Sequence, residues 1–282
     1  MTAVQETRSA LKRIADQSDD GIDLAEAALL FAALDQPTSD LSFYRDHITA
    51  IAEAVGDYAG QRKWGEHPAP EQMAEALNYA LVEQFRYSGD EETYDDLDNA
   101  NLMRVIDRRR GLPVALGILY LSAAHAQGWA AAGLNFPGHF LIRLESHDGR
   151  RIIIDPFHKG RIMGAPELRE LLKVVAGPGV ELEASHYRTV GSRDVLIRLQ
   201  NNVKTRRLDK GQIQDAVDAV ENMLLLSPES SALWREAGVL HMRGGHLKRA
   251  IEAFDQFVAR AADGPDRHKI AKVVQELRER LN

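Results

Sequence analysis

The chain contains no cysteine. That one absence excludes disulfides, thiolate zinc sites and a thiol nucleophile. A basic surplus is missing too: 35 Lys and Arg stand against 42 Asp and Glu, a net charge of −7. A general nucleic-acid binder carries the opposite balance. There is no Gly-rich phosphate loop and no alternation of aromatic and basic residues, so no nucleic-acid partner is expected. Long apolar runs are lacking as well. The longest, residues 24–34 (LAEAALLFAAL) and 112–121 (LPVALGILYL), are too short or interrupted to span a bilayer. Residues 1–17 carry charges throughout, unlike a signal peptide. A soluble, cytoplasmic protein with no membrane partner is expected.

What is present is an ordinary globular composition, 44% hydrophobic and 27% charged over 282 residues, enough for about two domains. The first hundred residues have helical spacing. Asp23 and Glu26 form a capping-box start for a helix that stops before Pro37. A second helix follows Asp40, with Leu41, Tyr44, Ile48, Ile51 and Val55 on one face. Pro70 opens a third, running to Gly89. Residues 88–101 are acidic and turn-rich, a surface loop.

The middle of the chain changes period. Residues 101–109 read as helix until Gly111, and Pro113 suits the first position of another that ends at Gly128. The runs HFLIRLES and RIIID, with Asp148-Gly149 between them, read as a β-hairpin. A helix packed on an antiparallel sheet is an α+β core.

The last third returns to helix and repeats. Gly211, Ala216 and Val220 reappear as Gly245, Ala250 and Phe254, a displacement of 34 (245 − 211). Trp234, Gly238, Gly245, Ala250 and Phe254 fall on the spacing of a tetratricopeptide unit, with Lys204 and Phe257 where small residues are usual. Two degenerate repeats over residues 194–263 and a capping helix are expected. Three regions follow: 1–92 helical, 93–190 the α+β core, and 191–282 the all-α repeats.

The string NLMRVIDRRRGLPVALGILYLSAAHAQGW, then GLNFPGHFLIR, then IIIDPFHKG resembles the bacterial SirB-type transglutaminase-like proteins, most strongly over residues 94–160. The resemblance implies a helical N-terminal region, a transglutaminase-like (papain-like) core of helix and antiparallel sheet, and C-terminal tetratricopeptide repeats. It also implies a triad of cysteine at a helix start, then histidine, then aspartate on successive strands. His139 and Asp155 match the last two members. The cysteine position falls at Pro113 or Val114, and neither side chain is a nucleophile.

Without a thiol, the His139–Asp155 pair reads first as a buried hydrogen bond that fixes the sheet. Its functional reading is a general base that activates water or a substrate hydroxyl. Asn135, Pro113, Val114 and Tyr120 are the expected pocket residues, and Ser122 is a remote substitute nucleophile. In the repeats, Trp234 and His241 are candidates for peptide contact. His139, Asp155 and His158 could form a facial ligand set, but their spacing is unspecific, and neither metal nor cofactor is expected. Arg108, Arg109 and Arg110 are best paired with the acidic loop at Asp95, Asp96 and Asp98. The leading expectation is a non-catalytic protein acting in protein–protein interaction or regulation, with a peptide or protein partner on the repeats. The alternative is a peptidase- or amidase-like hydrolase that activates water through the His–Asp pair.

Overall fold

The computed structural model describes residues 2–281. Its first helices are α1 (Ala3–Ala15), α2 (Leu24–Asp35), α3 (Ser42–Arg62) and α4 (Pro70–Asn78). Half of the expected capping box forms at α2: the Glu26 amide donates to Asp23 Oδ1 at 3.0 Å, while the Glu26 carboxylate accepts from Arg45 instead. Helix α4 is shorter than its pattern, read from Pro70 to Gly89, suggests. It changes after Asn78 to a wider π turn over Tyr79–Gln84, and Arg86 takes a left-handed φ of 63°. Such a turn re-aims the side chains beside it.

A two-residue strand β1 (Ser88–Gly89) then pairs in parallel with β2 (Arg110–Gly111), on either side of α5 (Leu102–Arg108). Helix α6 (Pro113–Ala126) follows, with proline at its first turn. Both α2 and α6 are apolar on nearly every side, so both are buried almost all round.

The main sheet holds β3 (Ala130–Leu134), β4 (Ile142–Glu145), β5 (Arg151–Asp155), β6 (Arg161–Ile162) and, beyond α7 (Ala165–Ala176), β7 (Thr189–Val190). Its order is β6-β5-β4-β3-β7, with every pairing antiparallel. The expected hairpin is β4–β5, in register Ile142↔Ile154, with Gly149 at φ 81° in its turn. One expectation fails here. The strand carrying His139 begins only at Ile142, and His139 lies in the loop before it. Pro137 has no amide to donate to a ladder, and Gly138 sits at φ 63°, so this stretch bends instead of pairing.

The C-terminal helices are α8 (Ser192–Asp209), α9 (Ile213–Leu226), α10 (Ser231–Arg243), α11 (Leu247–Arg260) and α12 (Pro265–Leu281). Gly238 and Phe254 show why the repeat needs those residue types, since a Cβ at Gly238 would lie 2.4 Å from the Phe254 ring. Phe257, large where a small residue is usual, joins Ile251, Phe254, Ile270 and Val274 in the core of α11 and α12. Lys204 is accommodated because its ammonium reaches the Glu236 carboxylate. Helix α10 runs on through His241 to Arg243 before the repeat turn at Gly244-Gly245.

Contacts divide the chain into two compact units. One joins Thr2–Val4 to Ser18–Leu199, and the other joins Gln5–Gln17 to Gln200–Asn282. Most of α1, expected within the helical N-terminal region, thus groups with the repeats. No helix among the described residues is long and apolar enough to cross a membrane.

Candidate functional site

Asp155 ends β5 and is completely buried. The following proline favours extended geometry at Asp155, and the chain then doubles back over Phe157, His158, Lys159 (φ 58°) and Gly160 (φ 65°). This turn closes on its own start, because the Gly160 amide donates to the Asp155 carbonyl at 2.8 Å. It also wraps the Asp155 carboxylate. Oδ1 accepts from the amides of Phe157 (3.0 Å) and His158 (3.3 Å).

Two imidazoles complete the shell. His139 Nε2 lies 2.9 Å from Oδ1, and His158 Nδ1 lies 2.7 Å from Oδ2. The rings are nearly parallel, 5.9 Å between centroids at 21°, and Phe157 meets His139 edge-on at 6.0 Å. Burial alone would raise the Asp155 carboxyl. Hydrogen bonds and charge from His139, then His158, outweigh it and hold the group below the usual carboxylate range. Together, His139, Asp155 and His158 place one donor atom each within 4.8 Å of one another, the one such cluster among the described residues.

The surroundings fix these groups from three directions. Arg198, near the start of α8, donates to the carbonyls of Phe136 (3.2 Å) and His139 (2.6 Å) and stacks over Phe140 at 5.6 Å. It straps down the loop that the proline and glycine leave without a ladder. From α4, beside the π turn, Asn78 Nδ2 donates to the Gly160 carbonyl at 3.2 Å, and its Oδ1 accepts from Tyr120 at 3.0 Å. The Tyr120 hydroxyl is pushed up strongly by burial and further by the charge of Asp155. Phe157 closes the third side against Gly89, where a Cβ would sit 2.6 Å from the ring.

The sequence candidates scatter accordingly. His139 and Asp155 do meet, and Tyr120 stands behind them through Asn78 and Gly160. Pro113 and Val114 are the first, buried residues of α6. Asn135 is exposed, with its amide bonded to the Arg188 carbonyl. Ser122 lines a different cavity of about 660 Å³, with Thr49, Ala132 and Ser192. Asp155 and His158 border a cleft of about 610 Å³ that Arg161, Glu167 and Val174 also line.

Asn78 and Arg198 were missed, because their partners lie 42 to 82 residues away and neither lies in a motif. Arg108 finds Asp90 at 2.9 Å, with Asp96 and Asp98 within 3.8 Å, and Arg110 finds Glu92 at 3.1 Å. Arg109 instead donates to Tyr87 at 2.7 Å and to His47.

In the repeat unit Trp234 is half-buried. Its Nε1 donates to the Pro228 carbonyl at 2.7 Å, and Arg260 lies 5.6 Å over its ring. It lines a groove of about 600 Å³ with Arg8, Lys12, Leu225 and Pro228. His241 is buried, with Nε2 3.3 Å from Glu221.

A family model described as the transglutaminase-like superfamily matches residues 42–201, and one described as tetratricopeptide repeat matches residues 204–275. The chain belongs to the transglutaminase-like superfamily. It is similar to a UPF0162 protein of Xylella fastidiosa (strain Temecula1), 28% identical over 249 residues, or 87% of this chain and 86% of that one. A UPF0162 protein of Vibrio cholerae is 25% identical over 252 residues, covering 89% and 91%. F-box only protein 21 of Mus musculus is 28% identical over 219 residues, covering 68% of this chain but 34% of its own length.

Proposed function

We propose that this member of the transglutaminase-like superfamily, of the SirB type, is a non-catalytic, cytoplasmic protein that acts by binding other proteins in a regulatory role. One observation carries the reading: there is no cysteine anywhere, and the first turn of α6, where the superfamily resemblance puts the thiol, begins Pro113-Val114. An imidazole held by a carboxylate activates a nucleophile only where one exists. The paired polar groups around Asp155 then serve to hold the loop and turn in one conformation, as satisfied buried networks do.

The repeat unit supports the binding half of the reading. Tetratricopeptide arrays present extended grooves, and the groove at Trp234 combines an aromatic side chain, the apolar Leu225 and the basic Arg8 and Lys12. Asp16 and Glu221 line the groove as well, so the surface suits a peptide with apolar residues and charges of both signs. Full-length protein should capture a partner from lysate that Trp234→Ala and Leu225→Glu capture poorly. Identical captured sets for all three forms would remove the binding claim. Measurable glutamine–lysine acyl transfer by the purified chain would remove the non-catalytic one.

A further inference from the structure

A relic of a thiol triad accounts for His139 and Asp155, and it leaves His158 unexplained. A triad asks one imidazole of its carboxylate. Asp155 has two, one on each oxygen, at 2.9 and 2.7 Å. Charge is the second oddity. Asp155 is 0% exposed, and among the described residues no lysine or arginine pairs with it. A buried carboxylate without a cation is costly, and imidazoles and amides offset that cost only in part. The third observation is convergence: two borderline imidazole nitrogens and one hard carboxylate oxygen, a donor set that first-row divalent metals accept, lie within 4.8 Å of one another.

We propose that His139 Nε2, the Asp155 carboxylate and His158 Nδ1 form a two-histidine, one-carboxylate site for a divalent transition-metal ion of the Zn²⁺ class. The site stands apart from the protein-binding reading and needs nothing from the repeats. A tetrahedral ion roughly 2.1 Å from each donor spaces its ligands about 3.4 Å apart. With one carboxylate oxygen as the ligand, the imidazole hydrogen-bonded to that oxygen moves out slightly, and the other ring draws in from within 4.8 Å. His158 has the freedom to do this, since its side chain is 48% exposed while Asp155 is pinned by two amides and the His139 loop by Arg198.

Each ring must present a lone pair to the metal. For a neutral ring the proton moves to the far nitrogen, Nδ1 of His139 and Nε2 of His158. A protonated ring releases a proton instead. The remaining coordination positions open toward the cleft of about 610 Å³ that Asp155 and His158 border.

The test uses full-length, tag-free protein stripped with chelator, titrated calorimetrically with Zn²⁺ and, separately, followed by visible absorption with Co²⁺. One ion per chain is expected, with Co²⁺ bands of a nitrogen–oxygen site. His158→Ala, at a half-exposed position, should keep its circular dichroism and weaken binding by about 100-fold or more. His246→Ala, beside His241 at 5.9 Å between rings, should bind as wild type. Should His158→Ala not fold, side-chain NMR of the ten wild-type histidines decides: Zn²⁺ must shift His139 and His158. No binding, unchanged binding in His158→Ala, or Zn²⁺ shifts confined to other histidines would overturn the site.

Discussion

Asp155 in one unit and Glu221 in the other each gather a ring of partners, and the two rings are built differently. Around Asp155 stand two imidazoles and two backbone amides, in a place without solvent. Around Glu221 stand Arg8 (3.8 Å), Arg249 (3.2 Å) and His241 (3.3 Å), with the carboxylate side chain 25% exposed. The first arrangement is short, dry and made of groups that need not be charged. The second is longer, wet and made mostly of permanent cations. A dry cluster has to be satisfied atom by atom, so it fixes geometry, whereas a wet one tolerates slack because water supplies what is missing. The convergent His–Asp–His geometry belongs to the first kind, while the second borders the groove at Trp234.

That contrast can be broken by substitution. Asp155→Asn should produce the largest effect, about 3–5 kcal/mol lost in denaturant unfolding, because two imidazoles and two amides lose a buried anion. A loss below about 1 kcal/mol would mean the cluster is as slack as the one at Glu221. Next come two glycines that sit under close contacts. At Gly160 a Cβ would fall 1.8 Å from Asn78 Oδ1, and φ is 65°, so strain adds to the clash. Gly160→Ala should cost about 3 kcal/mol. Gly238→Ala pushes only against the Phe254 ring at 2.4 Å and should cost about 1–3 kcal/mol. Thermal unfolding of the two variants side by side would reverse the comparison if Gly238→Ala proved the worse.

The pH response sharpens the contrast further. His47 is pulled down from its ordinary 6.5 to about 4, first by burial and then by the Arg109 charge. Above 6.5 both folded and unfolded chains hold this ring neutral. Between 6.5 and about 4 only the unfolded chain takes up the proton, so stability must fall as pH falls through that window, and His47 adds no slope below it. His47→Gln should flatten the slope measured by urea unfolding at a series of pH values. An unchanged slope would assign it elsewhere, His241 being next, since burial lowers that ring too. Smallest of all, Glu221→Gln should change stability by about 0–1 kcal/mol and lose even that in high salt.

Legibility followed distance along the chain. Asp23 with Glu26, Pro113 at a helix start and Asp148-Gly149 in a turn could be read because each is decided within a few residues. The 34-residue displacement announced the repeat helices because a short pattern recurs in each unit, and the order of His139 and Asp155 marked the site. His139, however, was expected on a strand and lies in a loop. The alternation in HFLIRLES looked continuous, while Pro137 and Gly138 had already cost the segment its ladder.

Composition and local pattern alone determined that this chain has no thiol chemistry, that it is α+β followed by helical repeats, and where α2, α4 and α6 begin. Those properties depend on side-chain identity and on periodicities of a few residues. Tertiary structure alone decided that Asn78 and Arg198 would brace the turn and loop around Asp155, and that most of α1 would group with the repeats. These are meetings of residues far apart in sequence, selected by which buried polar groups could satisfy one another once the helices and sheet had packed, and no local signal encodes that choice.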